Sequence, residues 1–104
     1  MTPEGKVKDE IKKYLDSIGA QYFMLVQTGY GRTAVDFLCC VRGKYVAIEA
    51  KRPGVYEATV LQKRFLKGVT DAGGLAFVSD SVERVKKMIE DHILGAYRDS
   101  LQGD

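Results

Sequence analysis

Apolar residues at Val7, Ile11, Leu15 and Ile18 form one stripe at helical spacing, which predicts a first helix from about Pro3 to Ile18. Thr2 is its expected N-cap, Pro3 suits the first helical position and Gly19 closes it. A strand is expected at about Tyr22–Gln27, then a polar glycine loop, Thr28-Gly29-Tyr30-Gly31-Arg32. Two apolar strands follow, Val35–Val41 and Tyr45–Lys51, joined through Arg42-Gly43-Lys44 as a hairpin. A second helix is expected over about Thr59–Ala72, with Leu61, Phe65 and Val69 inward and Gly73-Gly74 at its end. Leu75–Val78 reads as a short buried strand. A third helix is expected over about Ser81–Leu94, with Val82, Val85, Ile89 and Ile93 inward and a box-like cap from Asp80 or Ser81 with Glu83. The tail from Gly95 to Asp104 is expected to fray. The order α-β-β-β-α-β-α implies an α/β fold, a mixed sheet flanked by helices, in which the second helix crosses over between two parallel strands.

Both hairpin strands carry an acidic residue where an apolar one would fit. Asp36 interrupts the first, and Glu49 the second, with Lys51 two residues on. Alternation puts Glu49 and Lys51 on one face and Val46, Ile48 and Ala50 on the other. Burying a carboxylate costs several kcal/mol unless a cation or good hydrogen bonds compensate. An ordinary ion pair of Glu49 with Lys51 or Arg32 would favour an exposed face and leaves Asp36 unexplained. Two carboxylates meeting across a hairpin beside a lysine are the parts of a divalent-metal site for phosphodiester hydrolysis.

The chain has 104 residues, read as one domain over 1–104, with an ordinary globular composition. No apolar run approaches the ~20 residues of a membrane span. The first residues lack the apolar core of a signal peptide, and the adjacent Cys39 and Cys40 point to opposite faces, so a cytoplasmic location is expected. Two cysteines and the single His92 leave too few ligands for a structural zinc site. The net charge of +2 carries little weight, but its distribution does. Residues 42–68 hold seven basic side chains, including Arg52, Lys63 and Arg64, against Glu49 and Glu57. A basic block around an acidic pair suits a surface that grips phosphates, although a solvated charged face explains the block equally well.

Three further positions have two readings each. Gln62 completes a capping box with Thr59, yet it also opens the helix that follows the lysine strand. Glu4 lies within about 20° of the first helix's apolar stripe, whereas Glu10 lies about 100° away, which favours Glu4 as a third acidic group. Arg32, after two glycines, is placed to contact a phosphate, but no Gly-Lys-Ser/Thr ending makes this a P-loop.

With Asp36, Glu49-Ala50-Lys51 and Gln62 in place, the chain resembles the PD-(D/E)XK nucleases, and more narrowly the stand-alone VRR-NUC domains of phages and bacteria. The likeness runs from about Glu4 to Ile89 and includes the glycine-arginine loop, Ile48-Glu49-Ala50-Lys51 and Gly73-Gly74. Val35 stands where the superfamily's name puts proline. The resemblance implies a restriction-endonuclease-like core and Mg²⁺ or Mn²⁺ held by Asp36, Glu49 and the Ala50 carbonyl. It implies that Lys51 orients or deprotonates the attacking water, that Glu4 assists the metal, and that Gln62 supports Lys51 or the phosphate. Arg32, Arg52, Lys63 and Arg64 are the expected DNA contacts, and the expected products carry a 5′-phosphate and a 3′-hydroxyl. It further implies a homodimer that cuts branched DNA such as four-way junctions. A DNA-binding or assembly module without catalysis, and a nuclease with sequence preference, are the alternatives.

Overall fold

A computed structural model of the chain describes residues 1–25 and 35–102. Its elements are α1 (Pro3–Ser17), β1 (Gln21–Met24), β2 (Phe37–Val41), β3 (Lys44–Ala50), α2 (Val60–Asp71), β4 (Leu75–Ser79), α3 (Val82–Ile89), a π-helical turn (Glu90–Leu94) and α4 (Gly95–Gln102). The strands form one sheet in the order β1-β2-β3-β4, antiparallel except for the parallel β3–β4 pair that α2 connects. No helix among the described residues is long and apolar enough to cross a membrane. The glycine loop and Arg32 lie outside the described residues.

The hairpin between β2 and β3 turns on Arg42 and Gly43, with φ of 50° and 81°. Two successive left-handed residues match the twist of the flanking strands, and the turn sets the register that pairs Val41 with Lys44 and Phe37 with Ile48. Side-chain alternation then sorts the sheet into two faces. Phe37, Cys39, Val41, Val46, Ile48 and Ala50 lie with Val7, Ile11 and Leu15 of α1 and Val85 and Ile89 of α3 in the larger core. Val35 and Ala47 lie with Leu66 and Val69 of α2 in a smaller one. Each large aliphatic or aromatic side chain so buried contributes about 1.5–3 kcal/mol. Burial pushes the Cys39 thiol up to about 12, while the Cys40 side chain is exposed on the other face.

Four expectations need correction. The inward face of α2 is Gln62, Leu66 and Val69, and Leu61 is 39% exposed. The polar Gln62 belongs to the buried stripe, so hydrophobicity alone turns the helix by about one position. The third helix is not continuous to Leu94: a π turn at Glu90–Leu94, closed by the Gly95 N–H on the Glu90 carbonyl, follows α3. The extra residue keeps Ile89, Ile93 and Leu94 all in the core. The tail is helical through Gln102, with Arg98 hydrogen-bonded twice to Glu90 and Arg42 stacked over the Tyr97 ring. Ser81 alone caps α3, since Asp80 instead accepts the Gly54 N–H at 2.9 Å.

Gly74 shows why the glycine pair precedes β4. A Cβ there would lie 2.7 Å from Val69 Cγ1 and 2.9 Å from the Tyr45 carbonyl oxygen. Gly74→Ala is therefore expected to lose about 1–3 kcal/mol of stability and several degrees in Tm. A urea or thermal melt checks this, and an unchanged midpoint would mean that α2 and β3 separate freely at this point.

Candidate active site

Asp36 immediately precedes β2, and its backbone carbonyl accepts the Leu25 N–H at 2.9 Å. One step beyond the Phe37–Ile48 pair, the hairpin register sets Asp36 opposite Glu49, and both are buried. Asp36 Oδ2 accepts the Ala50 N–H at 2.9 Å, which locks the carboxylate against the end of β3. The carbonyl of a strand residue points to the same edge as its N–H, so Ala50 presents its oxygen on the Asp36 side. Lys51 follows, its N–H held by the Ser79 carbonyl of β4 at 2.8 Å.

Glu49 Oε2 receives two donors, Gln62 Nε2 at 2.9 Å and Lys51 Nζ at 3.1 Å. Glu49 Oε1 is buried, and no hydrogen-bond donor among the described residues reaches it. Burial is the main reason that the Glu49 carboxyl is raised from 4.5 to about 7; the neighbouring Asp36 charge adds to this and Lys51 opposes it. A cation between the two carboxylates would remove that penalty.

Both readings of Gln62 are realised in one side chain. Its Oε1 accepts the Thr59 N–H at 2.9 Å, its own N–H donates to Thr59 Oγ1 at 3.1 Å, and Lys51 Nζ donates to Oε1 at 3.4 Å. With Oε1 committed to donors, the amide nitrogen must face Glu49. The capping box that starts α2 thus orients a group of the site.

Glu4 does not join the acidic pair directly. Its carboxylate is 45% exposed and lies 3.3 Å from Lys8 Nζ, which in turn lies 3.2 Å from Asp36 Oδ1. Among the described residues no cluster of three His, Cys, Asp or Glu side chains forms. Glu10 faces away, lining a cleft between α1 and α3 with Lys13, Tyr14, Val82 and Lys86. On the expectation that the acidic pair takes Mg²⁺ for cleavage, Glu4→Gln should raise the Mg²⁺ concentration for half-maximal cleavage a few-fold, with Glu10→Gln close to wild type; a metal titration of both variants decides, and the reverse order would remove Glu4 from the site.

Lys8 is the residue that the sequence reading missed. Its signal was there: it follows Glu4 by four positions and precedes the inward Ile11 by three, so it flanks the buried stripe. Arg52, Lys63 and Arg64 are all exposed, and Lys63 is paired with Glu57. Surface pairs of this kind are worth little and open readily to a phosphate.

A mixed sheet with helices on both faces, an aspartate before one hairpin strand and Glu-x-Lys at the end of the next, defines a restriction-endonuclease-like α/β fold. A solved structure described as a VRR_NUC domain is similar over 88% of this chain and 99% of its own length, with 27% identity and a TM-score of 0.75. The fold is that of a VRR-NUC domain. No family model matches the sequence, and no curated protein matches it.

Proposed function

We propose that the protein is a divalent-metal-dependent nuclease that hydrolyses phosphodiester bonds in DNA and prefers branched substrates such as four-way junctions. The observation that carries this reading is the buried Asp36–Glu49 pair beside Lys51, with no donor among the described residues on Glu49 Oε1. The donor set fits Mg²⁺ or Mn²⁺: two carboxylates and the Ala50 carbonyl are hard oxygens at one end of the central strand pair. When bound, such an ion supplies a water of lowered pKa and charge neutralisation at the phosphate.

The remaining work falls to the chain itself. Lys51 Nζ, with the side chain 16% exposed, sits between Glu49 and Gln62, and these two contacts use two of its three protons. It is placed to orient a water or to take its proton. Gln62 fixes Lys51 through Oε1 and Glu49 through Nε2, so neither group wanders from the other. The exposed Arg52, Lys63 and Arg64, on the segments next to Lys51 and Gln62, hold the backbone of the substrate. One such site cuts one strand, so paired cuts across a junction call for a homodimer with two-fold symmetry.

The test is a cleavage assay on duplex, flap, fork and four-way junction DNA with Mg²⁺, Mn²⁺ or EDTA. Preferential cutting of the branched substrates that EDTA abolishes is expected. Equal cutting of plain duplex removes the structural preference, cutting confined to one sequence favours a sequence-reading nuclease, and binding without any cutting favours an inactive DNA-binding module.

A further inference from the structure

We propose that Lys8 is the resident counter-ion of the carboxylate site, holding Asp36 in the metal-free protein and giving it up when a divalent cation binds. The inference rests on the reading that Asp36 and Glu49 take a metal.

The two carboxylates are not equivalent in what they offer a newcomer. Asp36 has both oxygens engaged, Oδ2 by the Ala50 N–H at 2.9 Å and Oδ1 by Lys8 Nζ at 3.2 Å. Glu49 has both donors on Oε2 and, among the described residues, none on Oε1. A divalent ion therefore joins Glu49 without displacing Lys51. At Asp36 it meets an ammonium on the same carboxylate. Asp36 has no free oxygen, so the ion can take Oδ1 only by displacing the ammonium that holds it, and the repulsion between the two cations at that one oxygen is strong where burial removes the screening of bulk water.

Lys8 is the one free to go. Lys51 is held by Glu49 and Gln62 and is mostly buried, whereas the Lys8 side chain is 30% exposed on a flexible four-carbon stem. Glu4, one helical turn before it, already holds the other side of the ammonium at 3.3 Å. The released charge stays tethered at the rim by Glu4 and is not expelled. This gives Glu4 a purpose that its distance from the pair otherwise denies it: Glu4 acts on the metal through Lys8.

The exchange predicts opposite effects on two readouts that need no cleavage. Lys8→Met keeps the stem and removes the charge. The metal-free variant should melt below wild type, because Asp36 is left buried without its cation, while Mn²⁺ measured by calorimetry should bind about tenfold more tightly or better. Lys8→Arg, which keeps a charge, should bind Mn²⁺ close to wild type. In wild type, nitrogen-15 signals of the lysine ammonium groups should show Lys8 moving to a solvent-exposed position on Mg²⁺ saturation, and this measurement stands even if Lys8→Met does not fold. Mn²⁺ binding that is unchanged or weakened in Lys8→Met, or a Lys8 signal that stays put as Mg²⁺ saturates wild type, overturns the exchange alone. No binding of Mn²⁺ or Mg²⁺ by wild type overturns the metal reading and the exchange with it.

Discussion

Asp36→Asn and Glu49→Gln are each expected to lose at least about 100-fold in cleavage rate while still folding and binding DNA. Groups that merely support a metal ligand cost 10–100-fold when removed, and a ligand itself costs more. The amides are chosen over alanine because they preserve most of the local hydrogen bonds; at Asp36 only the Lys8 pair on Oδ1 is lost. The carbonyl of the introduced asparagine still accepts the Ala50 N–H, and that of the introduced glutamine still accepts Gln62 Nε2 and Lys51 Nζ. Removing negative charge leaves the exposed cations that grip phosphates untouched, so DNA affinity should hold or rise. Gel-based cleavage and fluorescence anisotropy on one preparation separate the two effects, and full activity of either variant in Mg²⁺ would sink the assignment. Glu49→Gln carries a second signature in metal-free protein. Because the native carboxyl is raised to about 7, the folded state binds more protons than the unfolded one between about pH 4.5 and 7. Stability therefore falls as pH rises through that window and levels off above it. The glutamine variant should lose this slope, which urea titrations at several pH values will read.

Lys51→Arg is expected to lose about 100-fold or more in cleavage with little change in fold or DNA affinity. The ammonium fits between Glu49 Oε2 at 3.1 Å and Gln62 Oε1 at 3.4 Å, in a space closed by a helix start. A guanidinium is planar, wider and always protonated, so it must push Gln62 aside and cannot accept a proton from water. Positioned proton transfer is worth about 10²–10⁴-fold, which sets the scale of the loss. Single-turnover cleavage rates are the measurement, with circular dichroism to check the fold. Rates near wild type would show that only positive charge matters at this position, and the proposed handling of water by Lys51 would have to be dropped.

Some of this was written locally along the chain. Period-two alternation and the Arg42-Gly43 turn were enough to align Asp36 with Glu49, since a tight hairpin leaves no freedom of register. The cap at Thr2, the box at Thr59 and Gln62, and the crossover between β3 and β4 also depend on neighbours in sequence or on chain handedness. What the sequence could not decide hung on segments that meet only after folding. The phase of α2 follows from Gln62 reaching Glu49, so a polar residue occupies a buried position that a hydrophobic pattern skips. The π turn and α4 answer to packing of Ile93 and Leu94 in the core and to Arg98 on Glu90, none of which has a periodic signature. Lys8 carried only a weak signal for the same reason: four positions after Glu4 on a helix flank it reads as one more solvated lysine, until α1 packs against the sheet and brings its ammonium to a carboxylate in β2's approach. Sequence by itself determined which acidic residues share a strand end; the tertiary structure alone decided which cations guard them, because charge pairing across elements is settled by docking and not by propensity.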